Sequence, residues 1–244
     1  MEYVSPEGLR LDGRRPKEVR QLKCELAVLH RADGSAYLEM GNTKVLATVY
    51  GPHEVSQRSQ SLHDRALVHC EYSMATFSTG ERRRRPKGDR RSVELSLVIR
   101  QSMEAAILTH LLPRTQIDIY VQVLQADGGT RAACINAATL ALADAGVPMR
   151  DLVASCAAGY LNGTPLLDLN YVEDSAGGPD LTVALLPKAE KVTLLQMDSK
   201  LPLDTFEAVL GLAMDGCKAI AAHMRQALLE HTRKQAVVRG PVRL

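Results

Sequence analysis

Two arginines stand where helices are expected to begin, and a bound anion would favour that position. Arg131 follows a Gly-Gly turn and precedes an alanine-rich run, while Arg91 precedes the periodic run 93–112. A helix N-terminus disfavours a cation by roughly several tenths of a kcal/mol. A phosphate group accepts from free helix N–H groups and pairs with guanidinium, so it would stabilise both arginines. The pattern predicts a phosphate site of Arg91, Arg131, Gly129 and Thr130, with Thr130 capping the helix. For either arginine alone, a solvated side chain is the competing interpretation.

Carboxylates cluster in the segment 168–180. Asp174 and Asp180 flank a Ser-Ala-Gly-Gly-Pro loop and can converge on one point, so they are the candidate catalytic residues. Asp168 and Glu173 are interpreted as an ordinary acidic turn. A loop carboxylate pair suits Mg²⁺ or Mn²⁺ better than zinc. The segment has no histidine, and the seven histidines of the chain are scattered, so we expect them to be structural or surface residues.

A basic run lies directly before the Arg91 site. Residues 82–91 carry seven cations and one anion, and Pro86 and Gly88 predict a loop. A nuclear-localisation or solubilising run is the competing interpretation. Its position favours a surface that follows the backbone of a polyanion such as a nucleic acid, with Arg82 and Arg83 among the candidate contacts. A second basic run, 233–243, is predicted to be a frayed tail.

Composition limits the class of protein. Tryptophan is absent and only two phenylalanines occur among 244 residues, so the core must be aliphatic, and recognition of nucleobases on many aromatic platforms is disfavoured. Five widely spaced cysteines without a Cys-x-x-Cys motif fit reduced thiols. No apolar run has membrane-spanning length and no leader opens the sequence, so an intracellular protein without a membrane partner is expected.

The elements predicted around these residues form an α+β fold of mixed sheets packed with helices. The break at 146–148 predicts an N-terminal half, 1–147, with the arginines and a C-terminal half, 148–244, with the acidic loop. Helices are predicted at 93–112 and 131–145, and strands at 24–29, 35–40, 44–50, 66–73, 117–124, 152–161, 165–169, 181–186 and 191–197. A last amphipathic helix has an apolar stripe of Phe206, Val209, Leu210, Ala213, Cys217, Ile220, Ala221 and Met224.

Several motifs together resemble the RNase PH family of phosphorolytic exoribonucleases. They are residues 11–15, 33–35, 41–45, 125–131 and 168–180, in the family's order, and the resemblance runs from about residue 5 to the last helix. Residues 50–52, 77–82 and 148–151 are similar to the exosome ring subunits of that family. The resemblance implies two halves of the ribosomal protein S5 domain 2 type. It also implies RNA as substrate and a hexameric ring with a second RNase PH-like subunit, other exosome ring subunits and cap subunits.

The resemblance also implies roles for individual residues. Arg91 and Arg131 would hold inorganic phosphate, the co-substrate. Asp174 would be the general acid and Asp180 the residue associated with the metal. Arg58 and Arg114 would contact the RNA backbone.

Three functions stay open at this point. The chain can be an active phosphate-dependent 3′→5′ exoribonuclease that releases nucleoside diphosphates, or an inert ring scaffold that threads RNA to a separate hydrolytic nuclease. A free homohexamer that trims transfer RNA is the third. The presence of all four active-site residues favours the first. Residence in the cytoplasm and the nucleus, including the nucleolus, is expected.

Overall fold

Two sheets organise the chain in the computed structural model, which describes residues 3–55, 58–82 and 88–239. The first sheet has the order β1-β2-β3-β5-β4 and is antiparallel except for the parallel β4–β5 pair. Its strands are β1 Leu22–Leu26, β2 Gly34–Met40, β3 Thr43–Glu54, β4 Leu67–Met74 and β5 Thr115–Gln125.

The second sheet is antiparallel throughout, with the order β7-β6-β8-β9. Its strands are β6 Ala154–Leu161, β7 Thr164–Leu167, β8 Asp180–Leu186 and β9 Lys191–Met197. The helices are α1 Arg90–Ala106, α2 Thr130–Asp144, α3 Tyr171–Asp174 and α4 Leu203–Arg239, with short 3₁₀ turns at Arg58–Gln60 and Thr109–Leu111.

Helix α2 packs against both sheets and joins the two halves. All of its residues from Ala132 to Leu142 are buried, because a run of small alanines lets both sheets approach the helix closely. Inside this contact, Asn136 accepts from the Ser155 N–H at 2.7 Å and donates to the Ser155 carbonyl at 2.8 Å, which ties α2 to β6. The main apolar cluster is therefore continuous across both halves. The division at residue 147 into separate domains stays a prediction.

The predicted α+β class and the order of the long elements are confirmed. The stripe on the last helix is also confirmed as core: six of its eight residues are buried, and Phe206 and Leu210 are partly buried against them. Among the described residues, no helix is both long and apolar enough to cross a membrane.

Two predicted helix ends were wrong. Helix α1 stops at Ala106 because Ile107 turns extended, is buried, and forms an antiparallel bridge with Met149. The predicted frayed tail is helical as far as Arg239. There the Thr232 hydroxyl donates to the Leu228 carbonyl and Gln235 hydrogen-bonds His231, each within one helical turn. Residues 240–243 lie outside the described part.

Candidate active site

Arg91 lies in the first turn of α1. Asp89 is the N-cap residue, with extended backbone, and its carboxylate accepts the Arg90 N–H at 2.8 Å. Arg91 is exposed, and the first turn of α1 contains no acidic residue. This helix end therefore attracts anions.

Arg131 lies in the first turn of α2, directly after a left-handed turn. The N-cap residue is Gly129, with φ 60° and ψ 23°, and it makes no side-chain capping bond. The prediction that Thr130 caps the helix was therefore wrong. Left-handed backbone favours glycine, so the cap falls one residue earlier and Thr130 becomes the first helical residue.

Three carboxylates face these arginines from the second half. Asp174 ends α3 and Asp180 begins β8, so the loop between them brings them together as predicted. Asp198 follows β9, and its N–H donates to the Asp180 carbonyl at 3.2 Å. Sequence reasoning missed Asp198. Pairing the predicted strands 181–186 and 191–197 as a hairpin would have found it, because Leu181 pairs with Met197 and the next pair outward is Asp180 with Asp198.

Charge and burial raise the pKa values of two carboxylates. Burial, Asp174 and Asp198 raise the pKa of Asp180 to about 6, while Arg131 opposes the rise. The pKa of Asp174 is also raised, chiefly because the surrounding protein desolvates its carboxylate; Asp198 adds to this, and Arg91 and Arg131 oppose it. Both arginines therefore act electrostatically on the same carboxylate.

Two buried polar atoms in this cluster have no hydrogen-bond partner among the described residues. They are the Arg131 Nε donor and the Asp180 Oδ1 acceptor. The Arg131 guanidinium makes one long contact, 3.5 Å from Nη1 to the Thr182 hydroxyl. A buried donor or acceptor without a hydrogen-bond partner destabilises the fold, so each of these atoms is expected to bind a ligand of complementary charge. The arginine fits an anion, and the carboxylate fits a cation or a proton.

The turn of residues 127–130 between β5 and α2 carries the proposed phosphate site and is called the phosphate turn below. Buried ion pairs hold it against the acidic segment 168–180. Arg20 donates to both Asp168 oxygens, at 2.8 and 2.9 Å, and to the Asp127 carbonyl at 2.6 Å. Arg10 pairs with both oxygens of Glu173, and both side chains are fully buried. The interpretation of Asp168 and Glu173 as an ordinary acidic turn was therefore wrong. Both are buried anchors, and sequence reasoning missed their partners because the Arg20–Asp168 pair spans 148 residues.

Two cavities meet at this cluster. The inner cavity, of about 350 Å³, is lined by Arg91, Thr130, Asp174, Asp198 and others. The outer cavity, of about 880 Å³, is lined by Arg91, Arg82, Asn42 and Gln125 among others. Arg91 borders both, so an anion bound beside it can belong to a larger ligand in the outer cavity. Arg82 is thus brought to the site.

Comparison with known proteins decides the family. Residues 18–148 match the model of domain 1 of the 3′ exoribonuclease family, RNase PH, and residues 151–216 match domain 2. The chain belongs to the RNase PH family. It is 69% identical to the Arabidopsis thaliana exosome complex component RRP41 homolog, over 96% of this chain and 97% of that protein. Human exosome complex component RRP41 is 55% identical over 98% of each chain.

The RNase PH fold is also found in a solved structure. Rice Rrp46 superposes with a TM-score of 0.81 at 24% identity, covering 90% of this chain and 100% of that one. At that identity the likeness concerns the fold. The predicted two-half RNase PH fold is confirmed, while the roles of the individual site residues stay predictions.

The remaining RNA-contacting candidates of this RNase PH chain lie elsewhere. Arg114 precedes β5, is exposed in left-handed conformation, and its N–H donates to the Leu62 carbonyl at 3.1 Å. The backbone of Arg58 lies in the 3₁₀ turn that precedes Leu62, and its side chain is outside the described part. The phosphate turn follows the other end of β5, about 35 Å away along eleven residues. Arg83 lies outside the described residues.

The predicted metal can be tested against the donor set. Within the described residues, no three histidine, cysteine, aspartate or glutamate residues are grouped to hold a metal ion. A dedicated protein cage is therefore not formed there. Mg²⁺ is usually held by one or two carboxylates together with waters and substrate phosphates. The unpartnered Asp180 oxygen beside Asp174 fits that mode.

Two histidines lie together on the outer face of the first sheet. His53 and His69 flank Asp118, with nitrogen–oxygen distances of 3.4 and 3.5 Å. Both are more than 40% exposed, and neither lines the inner or the outer cavity.

Proposed function

We propose that the chain is a phosphate-dependent 3′→5′ exoribonuclease subunit of an exosome ring. One observation carries the proposal: arginines at two helix N-termini, Arg91 and Arg131, face carboxylates with raised pKa values across the cleft between the halves. Phosphorolysis needs cations that hold an attacking anion and a protonated group that receives a leaving oxygen. Arg91 and Arg131 can supply the cations, and the raised pKa values of Asp174 and Asp180 favour the protonated form of a carboxyl group.

In the proposed reaction, an oxygen of inorganic phosphate attacks the phosphorus of the 3′-terminal phosphodiester. A new P–O bond forms, the bond to the 3′-oxygen of the preceding nucleotide breaks, and a nucleoside diphosphate leaves. Arg91 and Arg131 bind and orient the phosphate, which lowers the repulsion between the two anions. Free N–H groups of the first turn of α2, beginning at Gly129 and Thr130, add hydrogen bonds to it.

The leaving 3′-oxygen takes a proton, and Asp174 is the proposed donor. Its raised pKa favours the protonated form that this role requires. Asp180 lies beside it with a pKa of about 6, so the two titrate as a coupled pair. Mg²⁺ or Mn²⁺, held by Asp180, would neutralise charge on the phosphates.

The partners follow from the relatives, which are named as exosome complex components. We propose that this chain joins a hexameric ring with a second RNase PH-like subunit and cap subunits, and that RNA is its substrate. Residence in the cytoplasm, nucleus and nucleolus is proposed on the same ground. A fluorescent fusion in cells tests the compartments, and exclusion from the nucleus would overturn that part.

Product analysis tests the activity. The reconstituted ring is incubated with RNA of defined sequence, with and without phosphate. Nucleoside diphosphates that form only with phosphate are the expected products. Monophosphates would indicate hydrolysis, and the absence of products would favour the inert scaffold.

A further inference from the structure

One aromatic side chain borders both cavities of the site. Tyr171 is 60% exposed and lines the inner cavity together with Arg91 and Asp174, and the outer one together with Arg91 and Arg82. Tyr72 also lines the inner cavity, but it is only 4% exposed and offers little ring surface to a ligand.

The backbone holds Tyr171 in a fixed place. Its N–H donates to the Asp127 carboxylate at 3.2 Å, which links it to the phosphate turn. It is the first residue of α3, whose start is closed by reciprocal bonds between Asn170 and Glu173. Glu173 is in turn anchored by Arg10. A ring presented on a fixed backbone loses little freedom when a ligand binds to it.

The lining of the outer cavity fits a nucleotide. Arg82 and Arg91 supply positive charge for phosphate, and Asn42 and Gln125 supply amide groups for polar edges. Among the described residues that line this cavity, Tyr171 is the only one with an aromatic ring. A nucleobase is the one part of a nucleotide that needs a flat apolar surface, and it stacks on such a ring whatever its sequence.

We propose that Tyr171 is a stacking platform for the 3′-terminal nucleobase of the RNA. The proposal deepens the phosphorolytic function proposed above and rests on it. Arg91 holds the phosphate at the junction of the cavities, and the ring of Tyr171 fixes the base of the nucleotide that is about to leave. The platform aligns the terminal phosphodiester with the attacking phosphate and accepts all four bases.

Kinetics on matched RNAs test the platform. In the reconstituted ring, Tyr171→Ala is expected to lower kcat/KM by about 5- to 150-fold on RNA with a normal 3′ end. Tyr171→Phe keeps the ring and should stay close to wild type. Val172→Ala, the exposed neighbour in α3 that lines neither cavity, is the matched control and should also stay close.

An abasic 3′-terminal nucleotide removes the proposed contact from the substrate side. On that RNA, wild type and Tyr171→Ala should have equal kcat/KM, whereas an abasic penultimate nucleotide should preserve the difference between them. An equal loss on normal and abasic ends would mean that Tyr171 only supports α3. That result would overturn the platform, as would a loss in Tyr171→Phe equal to that in Tyr171→Ala.

A binding measurement separates this proposal from the proposed activity. RNA with 2-aminopurine at its 3′ end should change fluorescence on binding to the wild-type ring, and the change should be much smaller with Tyr171→Ala. If the change occurs and no diphosphates form, the phosphorolytic function fails and the platform stands. If diphosphates form and the fluorescence change is the same in Tyr171→Ala, the platform fails and the function stands.

Discussion

Arg131 is the residue whose loss should affect the chemistry most. Arg131→Ala removes a charge that the proposed reaction uses to bind phosphate and to stabilise its attack, so the rate should fall about 10²–10³-fold. Part of the loss should appear as a higher phosphate concentration for half-maximal rate. Steady-state kinetics of the assembled ring at varied phosphate measure both.

Arg150→Ala is the matched control for that experiment. Arg150 is exposed, and its N–H donates to the Ala106 carbonyl at the last residue of α1. It therefore lies at the far end of a helix about 25 Å long, away from Arg91. An unchanged phosphate dependence in Arg131→Ala, or an equal change in Arg150→Ala, would refute the assignment of Arg131.

Asp180 should make stability depend on pH. Its pKa is raised from an ordinary value of 3.8 to about 6, so the folded chain binds this proton more tightly than the unfolded chain. Stability contributed by the protonated form is then lost as the pH rises from about 4 to about 6, and the loss is complete above that range. Asp180→Asn cannot ionise, so near pH 8 it should be more stable than wild type by on the order of 1–3 kcal/mol.

Thermal unfolding of the complex from about pH 4 to about pH 8 measures this difference. The gain should shrink as the pH falls toward about 4, because Asp180 is protonated in both states only below its ordinary pKa of 3.8. Asp215→Asn, an exposed carboxylate on α4, serves as the control and should show no such trend. A gain in Asp180→Asn that is independent of pH contradicts the raised pKa.

Sequence spacing singled out the four charged residues of the candidate site. Arg91, Arg131 and Asp180 stand at the ends of predictable elements, and Asp174 was found because it flanks the same loop as Asp180. Spacing did not locate their supports. Arg20 and Asp168 meet only after the halves pack, and nothing local marks either residue as buried. The position of Asp198 opposite Asp180 could have been predicted by pairing the strands 181–186 and 191–197 as a hairpin.

At the scale of elements, the turn before α2 depends on one close approach. Gly128 and Gly146 have nearly the same positive φ, 71° and 72°. A Cβ at Gly128 would lie 2.6 Å from the Asn170 carbonyl carbon, whereas a Cβ at Gly146 meets nothing within 4 Å. Gly146→Ala should therefore cost roughly 1–2 kcal/mol from backbone strain alone. Gly128→Ala should cost roughly 1–3 kcal/mol more from overpacking.

The functional difference between these two variants is the sharper test. Gly128→Ala should displace the turn that presents Arg131, and so raise the phosphate requirement. Gly146→Ala should leave that requirement unchanged. Melting temperatures and phosphate kinetics on the same preparations measure both effects. Equal behaviour of the two variants would show that the approach to Asn170 does not position the site.

Element boundaries were predictable where local chemistry sets them. The Gly-Gly pair marked the start of α2 to within one residue, and the bounds predicted for β9, 191–197, are those of the strand. Helix α3 was not predicted, because four residues carry no periodicity and their helical turn depends on the Asn170–Glu173 bonds and the buried Arg10. The end of α1 depends on a contact with Met149 that lies beyond the helix.

At the scale of the molecule, β5 separates two candidate RNA contacts. Arg114 lies at one end of the strand and the phosphate turn at the other, about 35 Å apart. Arg114→Ala should therefore weaken binding and degradation of long RNA and leave a dinucleotide unaffected, since a dinucleotide cannot reach both ends. Arg65→Ala, another exposed arginine of this half, is the control.

Degradation rates of RNAs of increasing length measure the effect of Arg114. Long RNA should also become less sensitive to salt in Arg114→Ala, because one phosphate contact is lost. A defect of the same size on the dinucleotide and on long RNA would place the action of Arg114 at the active site and contradict a separate contact.

The sharing of α2 by both sheets is a property of the whole molecule that the sequence did not reveal. The two-part order of strands and helices predicted two halves, but an alanine-rich run does not say which surfaces it will meet. Its burial on all sides becomes visible only in the packed chain. Because α2 also begins at the phosphate turn, the same helix joins the two halves and positions Arg131 in the candidate site.

If inorganic phosphate attacks the RNA in this site, labelled phosphate must appear in the released nucleotide. The reconstituted ring is given unlabelled RNA and ³²P-labelled inorganic phosphate, and the released nucleotides are separated. We expect label in the β-phosphoryl group of nucleoside diphosphates with wild type, and its loss with both Arg131→Ala and Asp174→Asn in intact rings. Unlabelled nucleoside monophosphates as the products, or equal labelling in wild type and both variants, would contradict it.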